Sequence, residues 1–232
     1  MRRPPLPRAP QRVPWTSGTR LYDQALRDAL WAERDRFQGT VLDLGCGMQP
    51  YREWLGARAG RWIGLDLPRS ASGRPAADIL ARAGAVPVQG GVADCVLSTQ
   101  VIEHMAHPGD LFREAWRLLR PGGSLLVTAP QAQWLHEEPH DYWRFTRYGL
   151  EQLARDAGLR PLRVVPFGGA IALVGFLIAT HVPTFGARDG SLWLRTRRGL
   201  QAVIQWCADR GDRMFFVPED TMGNLLVAER PA

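Results

Sequence analysis

The stretch TVLDLGCG at residues 40–47 constrains the fold of this 232-residue chain more than any other. An apolar run ending in an acid and two glycines reads as a buried strand running into a tight turn, because glycine lets the backbone turn sharply with no Cβ in the way. RWIGLDL (61–67) reads as a second strand, and it too ends in an acid, Asp66, 23 residues beyond Asp43. DCVLSTQ (94–100) and SLLVTAP (124–130) are further strands, with a helix over 108–120 between them. Tyr22, Leu26, Ala29, Leu30, Glu33 and Phe37 fall near helical spacing within 19–37, and a second helix over 147–158 starts at a Thr146 cap and closes at Gly158. LRVVPF (162–167) and NLLVAER (224–230) complete the set, and the Pro/Gly/Ala/Arg-rich segment 68–91 holds at most a short strand near Ala77–Leu80. Strands alternating with helices predict an α/β fold, a mostly parallel sheet flanked by helices.

In such a sheet, ligands bind at the carboxyl ends of strands, where the strand order reverses. The glycine turn and the second strand-end acid together make a nucleoside site, with Asp66 placed where ribose hydroxyls are held. A dinucleotide site calls for a third glycine under the pyrophosphate, and Pro50 stands at that position. An acid two residues before the first glycine repels phosphate and suits a ligand carrying an ammonium and a sulfonium. The chemistry points to S-adenosylmethionine rather than NAD.

These segments resemble the class I S-adenosylmethionine-dependent methyltransferases, in particular the methyltransferase type 11 group. VLDLGCGMQPY is similar to that family's glycine motif, IGLDL to its second-strand acid, VADCVLSTQVIEHMAHP to its fourth-strand segment, and LFREAWRLLRPGGSLLVTAP to the helix and strand that follow. The resemblance covers about residues 38–167 and the last strand, and it implies a Rossmann-like fold. It implies cofactor contacts by Asp43 (the methionine end), Gly45, Cys46 and Gly47 (the turn), Asp66 and Leu67 (the ribose), Ala83 (the adenine) and Thr99. The chain departs from the pattern at Gln49, where a third glycine is common, and at Arg82, where an acid near the adenine is common. Two rival readings stand beside it: an NAD(P)-binding oxidoreductase, and a catalytically silent nucleoside-binding module.

Residues 136–146, HEEPHDYWRFT, contain the H-E-x-x-H pattern of zinc metalloproteases. That chemistry requires a helix presenting both histidines on one face, and Pro139 inside the motif opposes one. No metal is expected. The segment follows a strand on the cofactor's side of the sheet and reads as a substrate-side loop. Methyl transfer to a hydroxyl needs a neighbour that takes its proton, and His140, Tyr142 and His104 are the catalytic candidates. His136 and Arg144 are the substrate candidates, although Arg144 could equally pair with Asp141 or Glu151.

The net charge is +6, and all 29 basic residues are arginine. They are scattered, without a compact stripe interleaved with aromatics, so no specific nucleic-acid partner is expected. Cys46, Cys95 and Cys207 are widely spaced and odd in number, which fits a reducing, cytoplasmic compartment. Residues 1–16 read as a disordered Pro/Arg-rich tail and 17–232 as the methyltransferase domain. Within it, 168–216 forms an apolar helical insertion before the last strand, as a lid or a membrane-surface element. No acid or arginine occurs in 164–187, and the apolar core of that stretch is too short to span a bilayer. An apolar face of this kind suits a small-molecule, lipid or glycan acceptor, peripheral membrane contact, or a homodimer interface.

Overall fold

The computed structural model describes residues 6–15, 17–68, 75–181 and 191–232, without the side chains of 191–195. The chain divides into two compact units, Glu33–Val165 with Asn224–Ala232, and Met1–Ala32 with Pro166–Gly223.

A seven-stranded sheet, in the larger unit except for Pro166, Phe167 and Gly223, is built from β1 (Gly39–Leu44), β2 (Ala59–Asp66), β3 (Ile79–Leu80), β4 (Ala93–Thr99), β5 (Leu119–Pro130), β6 (Arg160–Phe167) and β7 (Gly223–Glu229). Their order across the sheet is β3-β2-β1-β4-β5-β7-β6. The β3–β2, β2–β1, β1–β4 and β4–β5 pairs are parallel. The Arg230 N–H, just past β7, donates to Gly123 O near the start of β5. The start of β6 likewise meets the end of β7 where Arg160 Nε donates to Glu229. β7 therefore runs against both of its neighbours. Strand order reverses at β1 and β4, so their carboxyl ends open the crevice in which a ligand of this fold binds.

Beside the sheet stand α2 (Arg52–Leu55), α3 (Gly109–Leu118) and α4 (Arg147–Asp156). Leu111, Phe112, Ala115 and Leu118 of α3 recur at helical spacing and are buried in one cluster with strand residues such as Val96, Leu125 and Val127. Thr146 caps α4 as expected, its side chain accepting the Gly149 N–H at 3.2 Å. β5 extends back through Pro121-Gly122-Gly123, which the sequence suggests as punctuation only. A positive φ of 78° at Gly122 lets the chain turn there, and its N–H bonds Arg230 O.

The smaller unit contains α1 (Arg20–Ala32), α5 (Ala170–Thr180) and α6 (Ser191–Met214). Gly175 and Ala208 allow α5 and α6 to approach closely, since a Cβ on Gly175 would lie 2.2 Å from that of Ala208. Tyr22 of α1 packs its ring 5.5 Å from Phe167 and 5.6 Å from Phe176. Residues 6–15, within the tail expected over 1–16, lie against α1. Ala9 is buried, its N–H donates to Asp28 Oδ1 at 2.8 Å, and the Val13 N–H donates to Gln24 Oε1 at 3.0 Å. Polar side chains on α1 satisfy the backbone of an extended segment, an arrangement that composition does not report. Residues 1–5 and 16 of the tail and 182–190 of the insertion lie outside the described residues.

Candidate functional site

The turn after β1 is built so that the backbone lies bare beside two carboxylates. Gly45 has φ +76°, and a Cβ there would meet Val101 Cγ2 at 2.3 Å, so only glycine fits. Gly47 has φ +51°, and the space beside it is open. The N–H groups of Gly45 and Cys46 both donate to Leu65 O, at 2.8 and 3.0 Å, which pins the turn to the end of β2. Asp66 accepts from the Gly47 N–H through Oδ2 and from the Leu67 N–H through Oδ1, each at 2.7 Å. Two backbone donors orient this carboxylate and leave lone pairs on both oxygens for a diol.

Asp43 is fully buried, and neither of its oxygens has a hydrogen-bond partner among the described residues. Burial, and then the nearby Asp66 charge, push its carboxyl up to about 7. A buried, unpartnered acid of this kind is costly unless a cationic group meets it. Together, the orphaned acid, the bare turn and the oriented second acid fit a ligand with an ammonium at one end and a ribose in the middle. S-adenosylmethionine has that form.

A cleft of about 490 Å³ opens here, with Gly45, Asp66, Leu67, Ala83, Val101 and His104 in its wall. Four of the expected cofactor residues therefore line it, and Asp43 and Gly47 adjoin them. Cys46 does not line it. Its Sγ is turned toward Gly64, and burial lifts the thiol to about 12, so it packs the turn and is no nucleophile. Thr99 ends β4 but is not part of the wall. Val101 and Met105 are wall residues that motif reading missed. Their position just past β4, at the point of strand reversal, was the available signal.

The loop after β5 is stitched to the turn Ile102–His104. Tyr142 N and Trp143 N donate to Glu103 O at 2.9 and 3.3 Å, and Trp143 Nε1 donates to Met105 O at 3.0 Å. The loop is not helical, and its Glu138–Pro139 peptide is cis. His136 and His140 thus do not share a helical face, as Pro139 predicts. His140 Nδ1 lies 3.0 Å from the Tyr142 hydroxyl. Arg144 grips Asp141 through both Nη atoms, at 2.7 and 2.8 Å, and donates as well to the carbonyls of Gln133 and Trp134. Through these contacts Arg144 braces the loop. That guanidinium holds the Asp141 carboxyl well below the usual carboxylate range. His136 lies against His104 with ring centroids 4.8 Å apart. Beside His104, Glu103 is fully buried, neither of its oxygens has a hydrogen-bond partner among the described residues, and burial raises its carboxyl to about 8.

The methyltransferase-domain family model matches residues 42–127, the span from β1 to β5 that carries the glycine turn and the cleft beside it. Over 184 residues, covering 62% of this chain and 76% of the relative, the sequence is 30% identical to a ubiquinone biosynthesis O-methyltransferase of Ralstonia nicotianae. It is 32% identical over 185 residues to an uncharacterized 37.1 kDa protein in transposon Tn4556 of Streptomyces fradiae, covering 72% of this chain and 51% of that protein. The chain thus spans about half the length of that relative. Its fold is similar to that of phosphoethanolamine N-methyltransferase 2 of Haemonchus contortus in complex with S-adenosyl-L-methionine. There the TM-score is 0.56 at 18% identity, over 91% of this chain and 53% of that one.

Proposed function

The chain belongs to the class I S-adenosylmethionine-dependent methyltransferases, and from that membership we propose that it methylates a hydroxyl of a hydrophobic small molecule or lipid. The observation that carries the cofactor half of this reading is Asp43, a fully buried carboxyl without a hydrogen-bond partner among the described residues, beside a turn that admits only glycine. Asp43 would hold the amino group of the cofactor, Asp66 its ribose hydroxyls, and Leu67 and Ala83 would border its adenosine. Bound there, S-adenosylmethionine supplies an electrophilic methyl group on a sulfonium. The oxygen acceptor is suggested by the O-methyltransferase similarity.

The chain's own residues then have to align the acceptor and remove its proton. In the tautomer whose Nδ1–H donates to the Tyr142 oxygen, 3.0 Å away, His140 has Nε2 free to take that proton. His104 cannot do so through Nδ1, which bonds His140 O at 2.9 Å, and we assign it a positioning role. The test is methyl transfer to a panel of phenols and catechols bearing prenyl or acyl chains. His140→Gln is expected to lower kcat by about 10²–10⁴-fold while S-adenosylmethionine affinity stays within about twofold. Unchanged turnover in His140→Gln, or a full-length protein that binds the cofactor and methylates nothing in the panel, would count against this reading. The second outcome would favour a silent binding module.

The smaller unit supports the hydrophobic side of the proposal. Val174 and Ile178 of α5 and Leu200, Val203 and Trp206 of α6 are exposed, and Arg210 stacks 5.3 Å from the Trp206 ring. No helix of the described residues is long and apolar enough to cross a membrane. An apolar helix face with exposed arginines, on a chain of net charge +6, suits the surface of an anionic bilayer. Co-sedimentation with phosphatidylserine-rich vesicles, weaker with phosphatidylcholine alone and lost in a Val203→Asp/Trp206→Ser double variant, is expected. A stable dimer that leaves the vesicles unbound would assign the same face to self-association instead.

A further inference from the structure

We infer that Glu103, His104 and His136 form a binding site for a divalent transition-metal ion of the zinc class. Each of the three offers one ligand atom, and these atoms lie within 4.8 Å of one another. Two imidazoles and a carboxylate are a donor set that zinc takes readily. Glu103 and His104 sit on the turn after β4, and His136 sits on the loop after the neighbouring parallel strand β5. The parallel pairing brings both segments to the same edge of the sheet.

Three features distinguish this cluster from a chance meeting of polar groups. Glu103 is fully buried, and neither of its oxygens has a hydrogen-bond partner among the described residues. An ionised carboxylate in that position needs a cation. Both histidines, moreover, have Nδ1 committed elsewhere. His104 Nδ1 lies 2.9 Å from His140 O, and His136 Nδ1 lies 3.1 Å from Trp134 O and 3.3 Å from Asp141 Oδ2. A carbonyl accepts only from N–H, so the proton of each ring sits on Nδ1 and the lone pair is left on Nε2. This is the outer-shell arrangement that orients metal-bound imidazoles, including the carboxylate–histidine pairing seen at His136 and Asp141. Finally, Asp141 is itself gripped by Arg144, so the outer shell is rigid.

The spacing is that of an open site. His104 Nε2 is 4.0 Å from Glu103 Oε1 and 3.9 Å from Glu137 Oε2. The edge of a tetrahedron with ligand bonds near 2.1 Å is about 3.4 Å, so side-chain rotation has to draw together donors that lie up to 4.8 Å apart, and Glu137, beside His104, is a candidate fourth donor. The H-E-x-x-H stretch thus enters the site in a way the protease motif does not anticipate. His136 donates through its ring, whereas His140 contributes only its carbonyl, as a support for His104. A bound ion would tie the loop carrying His140 and Tyr142 to the turn after β4.

The test uses the full chain, stripped with a chelator, and zinc titrated in competition with a chromophoric chelator. One equivalent is expected to bind to the wild type. Glu103→Gln and His136→Ala are expected to weaken it by at least about 10- to 100-fold, while His140→Ala, which keeps the backbone carbonyl, leaves it unchanged. S-adenosylmethionine titration of each variant verifies that it is folded. Cobalt substitution of the wild type gives a readout independent of the variants, with the intense visible bands of a low-coordinate site expected. Zinc binding equal in wild type and Glu103→Gln, equal loss in His140→Ala, or only the weak spectrum of hydrated cobalt would overturn the assignment.

Discussion

Asp66→Ala should weaken S-adenosylmethionine binding by at least about a hundredfold, measured by calorimetric titration. The carboxylate is oriented by the N–H groups of Gly47 and Leu67, each at 2.7 Å. Bonds from two ribose hydroxyls to an ionised acceptor contribute about 1.5–3 kcal/mol each, so losing both corresponds to roughly 3–6 kcal/mol, and a hundredfold is about 2.7 kcal/mol. The alanine variant also leaves the Gly47 N–H without its acceptor, and part of the loss would come from a loosened turn. Asp66→Asn separates the two contributions, because it keeps the shape and one acceptor oxygen but not the charge. An intermediate affinity is expected for it. An alanine variant that binds within about threefold of wild type would place the ribose somewhere else.

Asp43 yields the second large effect, through pH. Its folded carboxyl is raised to about 7, whereas an unfolded chain titrates it near 3.9. Between those values the folded protein holds a proton that the unfolded chain has lost, so this group's contribution to stability is complete below about pH 4 and is lost as pH rises through about 7. At roughly 1.4 kcal/mol per unit, the contribution spans on the order of 4 kcal/mol. Asp43→Asn removes it. The variant should therefore be more stable relative to wild type at pH 8 than at pH 5, by up to about 3 kcal/mol in urea unfolding. Acids held low by arginine, such as Asp141, act with the opposite sign, being lost as pH falls, but they are common to both proteins and cancel in the difference. Saturating S-adenosylmethionine should shrink the gap, because an ammonium beside Asp43 restores the value of the charge. A difference independent of pH would mean that Asp43 is not the buried, unpartnered acid that the geometry describes.

The strands, their parallel arrangement and the glycine turn were legible because each leaves a local mark. Leu42, Leu44, Val96 and Leu126 are buried where the apolar runs place them, and Gly45 stands where a Cβ would strike Val101. Pro139 excluded the protease helix by the same kind of local argument, and the loop is indeed not helical. Arg144 shows the converse: the motif around it is compatible with more than one partner, and its bidentate contact with Asp141 is visible only in the folded chain.

Other features depended on residues far apart in the chain. Nothing near Ala9 indicates that its N–H meets Asp28, or that residues before α1 join a unit with Pro166–Gly223. Glu103, His104 and His136 come together only because β4 and β5 are parallel neighbours, so that the segments leaving them emerge at one edge. Periodicity and turn chemistry act over a few residues and are written directly into the chain. Burial, the loss of hydrogen-bond partners and the spacing of titratable groups belong to the packed state, where the energy of a carboxylate is set by whatever packing brings beside it.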